Sequence, residues 1–349
     1  MPGRAENTWT RKRGVKQPKS LLARTYLLFP KLALLTILLA AAALRAQEQT
    51  PVFQTTSELV LVDVQVLHGK TRAPAGSLSA KDLRVYEEGV PQEILHFSRD
   101  EFPLSVVLLF DLTESVRGVL KQLAEGAKTA LAHFKPEDEV AVMVYAGGAH
   151  LIDGFTNDRS RTVQAIEKSA EMKLDEPAHF NEAVYQAAQQ LRHASYAGNR
   201  RLVIWLTDNL PNVPYRKEYP SHTEDEALRA LHEEGVVIAP ILLKAPAWAV
   251  LGPIVTLGER SKAKAYPPGD ANKYAELTGG QAVGMRGKKP EERLAQLIDE
   301  MRARYTVGYR PSDPQPAGTF RKIRVELVSG GVLRPREWTV LARQGYYRK

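Results

Sequence analysis

Asp111, Thr113 and Ser115 stand at alternate positions directly after the apolar run Leu104–Phe110, in the stretch LSVVLLFDLTES. In an extended loop this spacing turns one carboxylate and two hydroxyls towards one point, and hard divalent cations such as Mg²⁺ prefer oxygen ligands of that kind. A second oxygen cluster, Thr207-Asp208-Asn209, follows a second apolar run, Leu202–Leu206. If both runs are parallel strands of one sheet they share a carboxyl edge, where open α/β sheets bind their ligands. Asp111 and Asp208 then face one site. The simpler alternative is that Asp111 or Ser115 only caps the helix that follows, over Val116–Phe134.

The elements that must position these residues alternate. Val106–Phe110, Val140–Tyr145, Leu202–Leu206 and Val236–Leu243 read as strands, with a short Ala149–Ile152 strand antiparallel beside the second. Helices are predicted from Val116 to Phe134, from Asp158 or Ser160 to Met172, and over Phe180–Ala194, Glu224–Glu234, Asn272–Leu277 and Pro290–Arg304. Strands apolar on both faces, alternating with helices, predict a doubly wound, mostly parallel sheet with right-handed crossovers. Shorter β signals flank this α/β region. Thr56–Leu67 alternates as a half-buried strand, and Leu83–Tyr86 and Glu93–Phe97 lie on either side of a Glu88-Gly89 turn. At the other terminus Tyr305–Tyr309, Phe320–Val328 and Glu337–Ala342 read the same way. Too small to bury two faces alone, the two sets are expected to pair with each other as one small β module.

Charge is concentrated at the N-terminus. Residues 1–50 hold nine lysines and arginines against Glu6 and Glu48, so the rest of the chain carries only +1 of the formal +8. A near-neutral body lacks the electrostatic footprint of a nucleic-acid binder. The basic leader runs into the thirteen uncharged residues Leu32–Leu44 and then Arg45-Ala46-Gln47, the order of a secretory signal with small residues near a cut after Ala43 or Ala46. Thirteen residues fall short of the roughly 20 that span a bilayer. Export to the periplasm or outside the cell is expected, with an uncleaved anchor in the inner membrane as the alternative. There is no cysteine, hence no lipid-attachment site, disulfide or thiol nucleophile.

The two strand-end clusters resemble the von Willebrand factor A-type domain. Its metal-ion-dependent adhesion site has an Asp-x-Ser/Thr-x-Ser loop, matched by Asp111, Thr113 and Ser115, and an Asp in a Thr-Asp-Gly turn, matched by Asp208. The flanks look like those of an exported A-domain family typical of Acidobacteria: Leu83–Gly89 with Gln92, Leu277-Thr278-Gly279-Gly280, Tyr305–Pro311 and Ala342–Tyr347. Taken with the leader and the flanking strand signals, the resemblance divides the chain into residues 1–46 as signal or anchor, 54–100 as an N-terminal β module, 101–304 as the A-type domain and 305–349 as C-terminal strands packing with that module. It also implies a Mg²⁺, Mn²⁺ or Ca²⁺ ion and a protein partner that reaches the ion through an acidic side chain. The family's third metal-loop Thr has no match. Setting Val184-Tyr185 on the family's Leu-Tyr pair puts Glu182 at that place, with Asn181 beside it, and Asn209 stands where Gly is usual. A third carboxylate at Glu182 would make the site anionic and discourage an acidic partner.

Three functions therefore compete. The first is metal-assisted protein binding, with Asp111, Thr113, Ser115, Asp208 and Glu182 as the ligand set. The second is a metal-free scaffold of the cell envelope that keeps the fold. The third is a metal-dependent hydrolase, for which His179 is the nearest general base by sequence. An enzyme is not expected. His150, His193, His222 and His232 have no metal-ligand spacing, there is no phosphate-cradling Gly-rich loop, and Ser115 with Asp208 has no His for a nucleophilic triad. The loops Asn209–His222, with Tyr215, Arg216, Lys217 and Tyr219, and Ala245–Asp270, with Trp248 and Tyr266, are expected to form a protein-binding rim.

Overall fold

In the computed structural model the described residues are 59–99, 102–174, 178–196, 198–209, 222–243, 270–285, 287–313, 315–328 and 333–348. The leader, most of both rim loops and their aromatic residues lie outside them. Eight consecutive buried residues, Leu104–Asp111, make β5 the central strand, and their alternation feeds two separate cores. Val106, Leu108 and Phe110 enter one, against α1 (Glu114–Leu131), α2 (Arg159–Glu171) and α6 (Pro290–Arg302). Val107 and Leu109 enter the other, against α3 (Phe180–Gln190), α4 (Glu224–Glu234) and α5 (Ala271–Thr278).

Six strands form the central sheet. β8 (Arg200–Thr207), β5, β6 (Glu139–Tyr145) and β9 (Val237–Leu242) are parallel neighbours, β10 (Val283–Gly284) adds to β9, and β7 (Ala149–Thr156) runs antiparallel at the β6 edge. The expected doubly wound sheet is thus present. Register puts Asp111 opposite Tyr145, and Phe110 opposite Leu206, so the ends of β5, β6 and β8 meet at one edge.

The outer strands make two four-stranded sheets. In the first, β1 (Val60–His68) lies between β13 (Trp338–Ala342) and β11 (Tyr305–Tyr309), which pairs in turn with β4 (Ile94–Arg99). In the second, β12 (Phe320–Leu327) joins β14 (Gly345–Tyr347) to β2 (Leu83–Glu87), with β3 (Val90–Gln92) at the edge. N-terminal and C-terminal strands therefore pair throughout. Their shared core holds Val62, Val64, Val85, Val307, Tyr309 and Ile323. One detail differs from the sequence reading. Glu88 and Gly89, both with positive φ, turn β2 into β3, and the segment Glu93–Phe97 does not complete that hairpin but crosses to pair with β11. Three residues of the return strand pair in the hairpin, and beyond it the half-buried Ile94 and Phe97 pack against the module's core from the other sheet.

An interior polar network ties this module to the α/β part. Arg200 at the start of β8 pairs with Asp63 of β1 at 3.1 Å and donates to Thr306 Oγ1 at 2.8 Å. The fully buried Arg304 donates to the Gly279 carbonyl at 2.8 Å and to Gln65 Oε1 at 3.0 Å. Gly279 ends α5 in the left-handed conformation, and a Cβ there would sit 2.4 Å from the backbone of Ala342, so only glycine lets β13 pass so close.

Candidate functional site

The site is built where three strands stop. Asp111 ends β5, and its carboxyl is held from below and from the side. Oδ1 accepts the backbone N–H of Thr113 at 2.9 Å, which bends the chain into the next helix. Oδ2 accepts the phenol of Tyr145, the last residue of β6, at 2.9 Å, and the hydroxyl of Thr207, the last residue of β8, at 3.2 Å. Tyr145 in turn accepts the indole N–H of Trp205 at 3.0 Å, and Thr207 accepts the backbone N–H of Asn209 at 3.1 Å. Both hydroxyls are therefore used as acceptor and donor at once.

Helix capping does not explain these residues. Thr113 is the residue before α1, yet its side chain makes no cap bond. Its hydroxyl lies 3.2 Å from that of Ser115, and Ser115 Oγ donates to Asp208 Oδ2 in a short contact. The loop after β5 and the loop after β8 are thereby joined, and Asp111, Thr113, Ser115 and Asp208 form one oxygen cluster. Asp111 is fully buried and Asp208 nearly so. Burial pushes the Asp111 carboxyl up to about 6, with the charge of Asp208 adding to the rise against the hydrogen bonds of Thr113 and Tyr145. Burial and the neighbouring Asp111 raise the Tyr145 phenol well above its ordinary value, so it stays protonated and donates.

Asn209 takes a left-handed backbone conformation, φ 54°, as a residue standing in a glycine position must. Its side chain does what glycine could not. Oδ1 accepts the N–H of Ala271 at 2.9 Å and Nδ2 donates to Asp270 at 3.2 Å, so the Asp208 turn is clamped to the start of α5. The same helix reaches across to α3, where Tyr274 donates to Asn181 Oδ1 at 2.8 Å.

Glu182 is placed differently from the other four. Its Oε1 accepts from Gln186 at 2.8 Å, and its Oε2 lies 2.7 Å from His222 Nδ1 and accepts the His222 backbone N–H at 3.1 Å. His222 stacks flat on Tyr185, ring centroids 3.4 Å apart. Among the described residues no group of three or more His, Asp or Glu is gathered as a metal cluster. Glu182 is on the first turn of α3, with Gln186 one turn on and His222 hydrogen-bonded beside it. Both residues at the expected third-loop place, Asn181 and Glu182, are thus engaged elsewhere.

Sequence reading missed Tyr145 and the second role of Thr207. The available signal was position: each ends an apolar strand at the level of Asp111. Residues 106–210 match the family profile of the von Willebrand factor type A domain. This chain carries an A-type domain. No curated protein matches it. Among solved structures, the conserved hypothetical protein BatB of Bacteroides thetaiotaomicron is 16% identical and covers 57% of this chain and 98% of its own, with a TM-score of 0.39. An aerotolerance-related membrane protein of Bacteroides fragilis gives 14%, 57%, 98% and 0.37 on the same measures. A von Willebrand factor type A protein of Catenulispora acidiphila gives 10%, 77%, 75% and 0.39. The matched residues include most of β5 and all of β8, the two strands whose ends carry the oxygen cluster.

The cluster's chemistry fits a hard divalent cation. Its donors are two carboxylates and two hydroxyls, all oxygen. The partners seen at the Asp111 carboxyl are neutral donors while Asp208 repels it, so a cation in the A-type domain's cluster would offset both burial and repulsion.

Proposed function

We propose that this chain is an exported protein that binds a protein partner through a divalent cation held by Asp111, Thr113, Ser115 and Asp208. The observation that carries this reading is the Ser115–Asp208 contact, which joins two strand-end loops into one oxygen cluster beside a buried carboxyl that has neutral donors. Bound there, the ion supplies a Lewis-acidic position for an acidic group of the partner. Two carboxylates formally neutralise it, and Glu182, taken up by His222 and Gln186, adds no third charge. Asp111 and Asp208 hold charge, Thr113 and Ser115 supply neutral oxygens, and Asn209 keeps the Asp208 turn in place from α5. The leader residues 1–46 support export, with inner-membrane anchoring as the other form; among the described residues no helix is long and apolar enough to cross a membrane.

The proposed role is binding. His179, the general base nearest by sequence, is buried in the turn before α3, with its backbone N–H on the Ala146 carbonyl. A second reading, a metal-free scaffold, is favoured by the engagement of Asn181 and Glu182 inside the fold.

Calorimetric titration of the full chain with Mg²⁺, Mn²⁺ and Ca²⁺ separates the two. Metal-assisted binding expects a one-site isotherm that vanishes in Asp111→Ala and stays within about threefold in Glu182→Thr, since losses of about 10–100-fold belong to partners that hold a ligand, whereas Glu182 is bonded to Gln186 and His222. Absence of heat and of a thermal shift with every ion would favour the scaffold.

A further inference from the structure

The Asp111 carboxyl has two oxygens in unlike surroundings, and the difference has a cause in the fold. Oδ2 points between β6 and β8, where it accepts two hydroxyls, each itself pinned by an N–H behind it: Trp205 Nε1 on Tyr145, and the Asn209 amide on Thr207. Oδ1 accepts the backbone N–H of Thr113 on the side of the hydroxyl loop, where the Thr113 side chain also bonds the carboxyl. We propose that Tyr145 and Thr207 are paired positioning residues that hold Oδ2 and so present Oδ1 to the cation. This rests on the metal-binding reading above and goes beyond it by assigning residues that touch no ion.

Three features support the assignment. Tyr145, Trp205 and Thr207 are all fully buried, so no solvent competes for their hydrogens. Each hydroxyl oxygen already accepts an N–H, which leaves its hydrogen to donate, and Tyr145 also lies 3.3 Å from Thr207 Oγ1, so the two hydroxyls and Oδ2 form one connected network. Strand register fixes both at the level of Asp111, and the ring of Tyr145 is wedged edge-on between Phe180 and Trp205, at 6.1 and 6.2 Å between centroids. A carboxyl held in this way meets an incoming cation without first losing rotational freedom, which is how outer partners of metal ligands raise affinity, by about 10–100-fold.

The test is Mg²⁺ titration of the full chain by calorimetry in Tyr145→Phe, Thr207→Val and Thr207→Ser, beside wild type and Asp111→Ala. Tyr145→Phe and Thr207→Val are expected to weaken binding about tenfold, and Thr207→Ser to stay within about threefold. The Thr207 pair separates positioning from packing. Valine matches threonine in shape and serine leaves a methyl-sized gap, so a packing role spares Val and harms Ser, whereas a hydroxyl role does the reverse. The pair also decides the matter if Tyr145→Phe does not fold. Wild-type affinity in Thr207→Val, or equal losses in Val and Ser, overturns the positioning role. If wild type binds, Asp111→Ala does not, and the hydroxyl variants bind normally, the positioning role falls and the metal reading stands; if wild type binds no Mg²⁺, both fall.

Discussion

β5 runs between two buried carboxylates that are held in opposite ways. At its start, Asp138 accepts the Leu104 N–H at 2.8 Å and the Lys135 N–H at 2.7 Å and pairs with the guanidinium of Arg302. At its end, Asp111 is as deeply buried, yet it meets hydroxyls and an amide and is repelled by Asp208. A carboxylate closed by a built-in cation is architecture, and it pins α6 to the sheet. One with neutral donors retains charge that an external cation can answer. The two ends of one strand thus separate a carboxylate closed by the fold from the one that the proposed cation would meet.

The largest effect should come from breaking the architectural end. Asp138→Ala removes an acceptor from the Arg302 guanidinium, the buried Leu104 N–H and the part-buried Lys135 N–H, and the expected cost is about 3–5 kcal/mol in urea unfolding, as for one partner removed from a buried pair. Retention of wild-type stability would erase the contrast between the ends.

The functional end should respond to pH with a defined sign. The folded-state pKa of Asp111 is raised from 3.8 to about 6, so its contribution to stability is full below about 4 and is lost as pH rises through about 6. About two pK units correspond to about 3 kcal/mol lost by pH 7 in metal-free protein. Asp111→Asn should flatten that slope between pH 4 and 7 in thermal unfolding, and an unchanged slope would place the titration elsewhere.

Mg²⁺ should offset the same loss. At about 100 times Kd it stabilises the folded state by about 2.7 kcal/mol at pH 7, and by less near pH 5, where the ion must displace a proton from Asp111. A thermal shift equally large at both pH values would mean that Asp111 is not a ligand.

The strands, the two-faced burial of β5 and the oxygen loops after β5 and β8 were legible in the sequence, because apolar runs that end in Asp, Thr and Ser report both burial and strand end. The fate of Glu182 was not. Its type and place admit a metal ligand, and its contact with His222, which the chain brings there from 40 residues away, has no local signal. The left-handed turn at Asn209 could be read from residue type, whereas its hold on α5 could not. The smallest effect should come from that hold: Asn209→Gly keeps the turn and loses two hydrogen bonds, for about 1 kcal/mol and a modest drop in Mg²⁺ affinity. Full loss of binding would make the clamp part of the site itself.

Local sequence determined the α/β class and which carboxylates lie at strand ends, since periodicity and residue chemistry act over a few neighbours. Tertiary structure alone decided that Tyr145 and Thr207 share one oxygen of Asp111, that Ser115 reaches Asp208, and that Glu182 turns to His222. Each of those contacts joins residues 34 to 96 positions apart, and only the sheet register and the packing of helices on it bring such residues within hydrogen-bond distance.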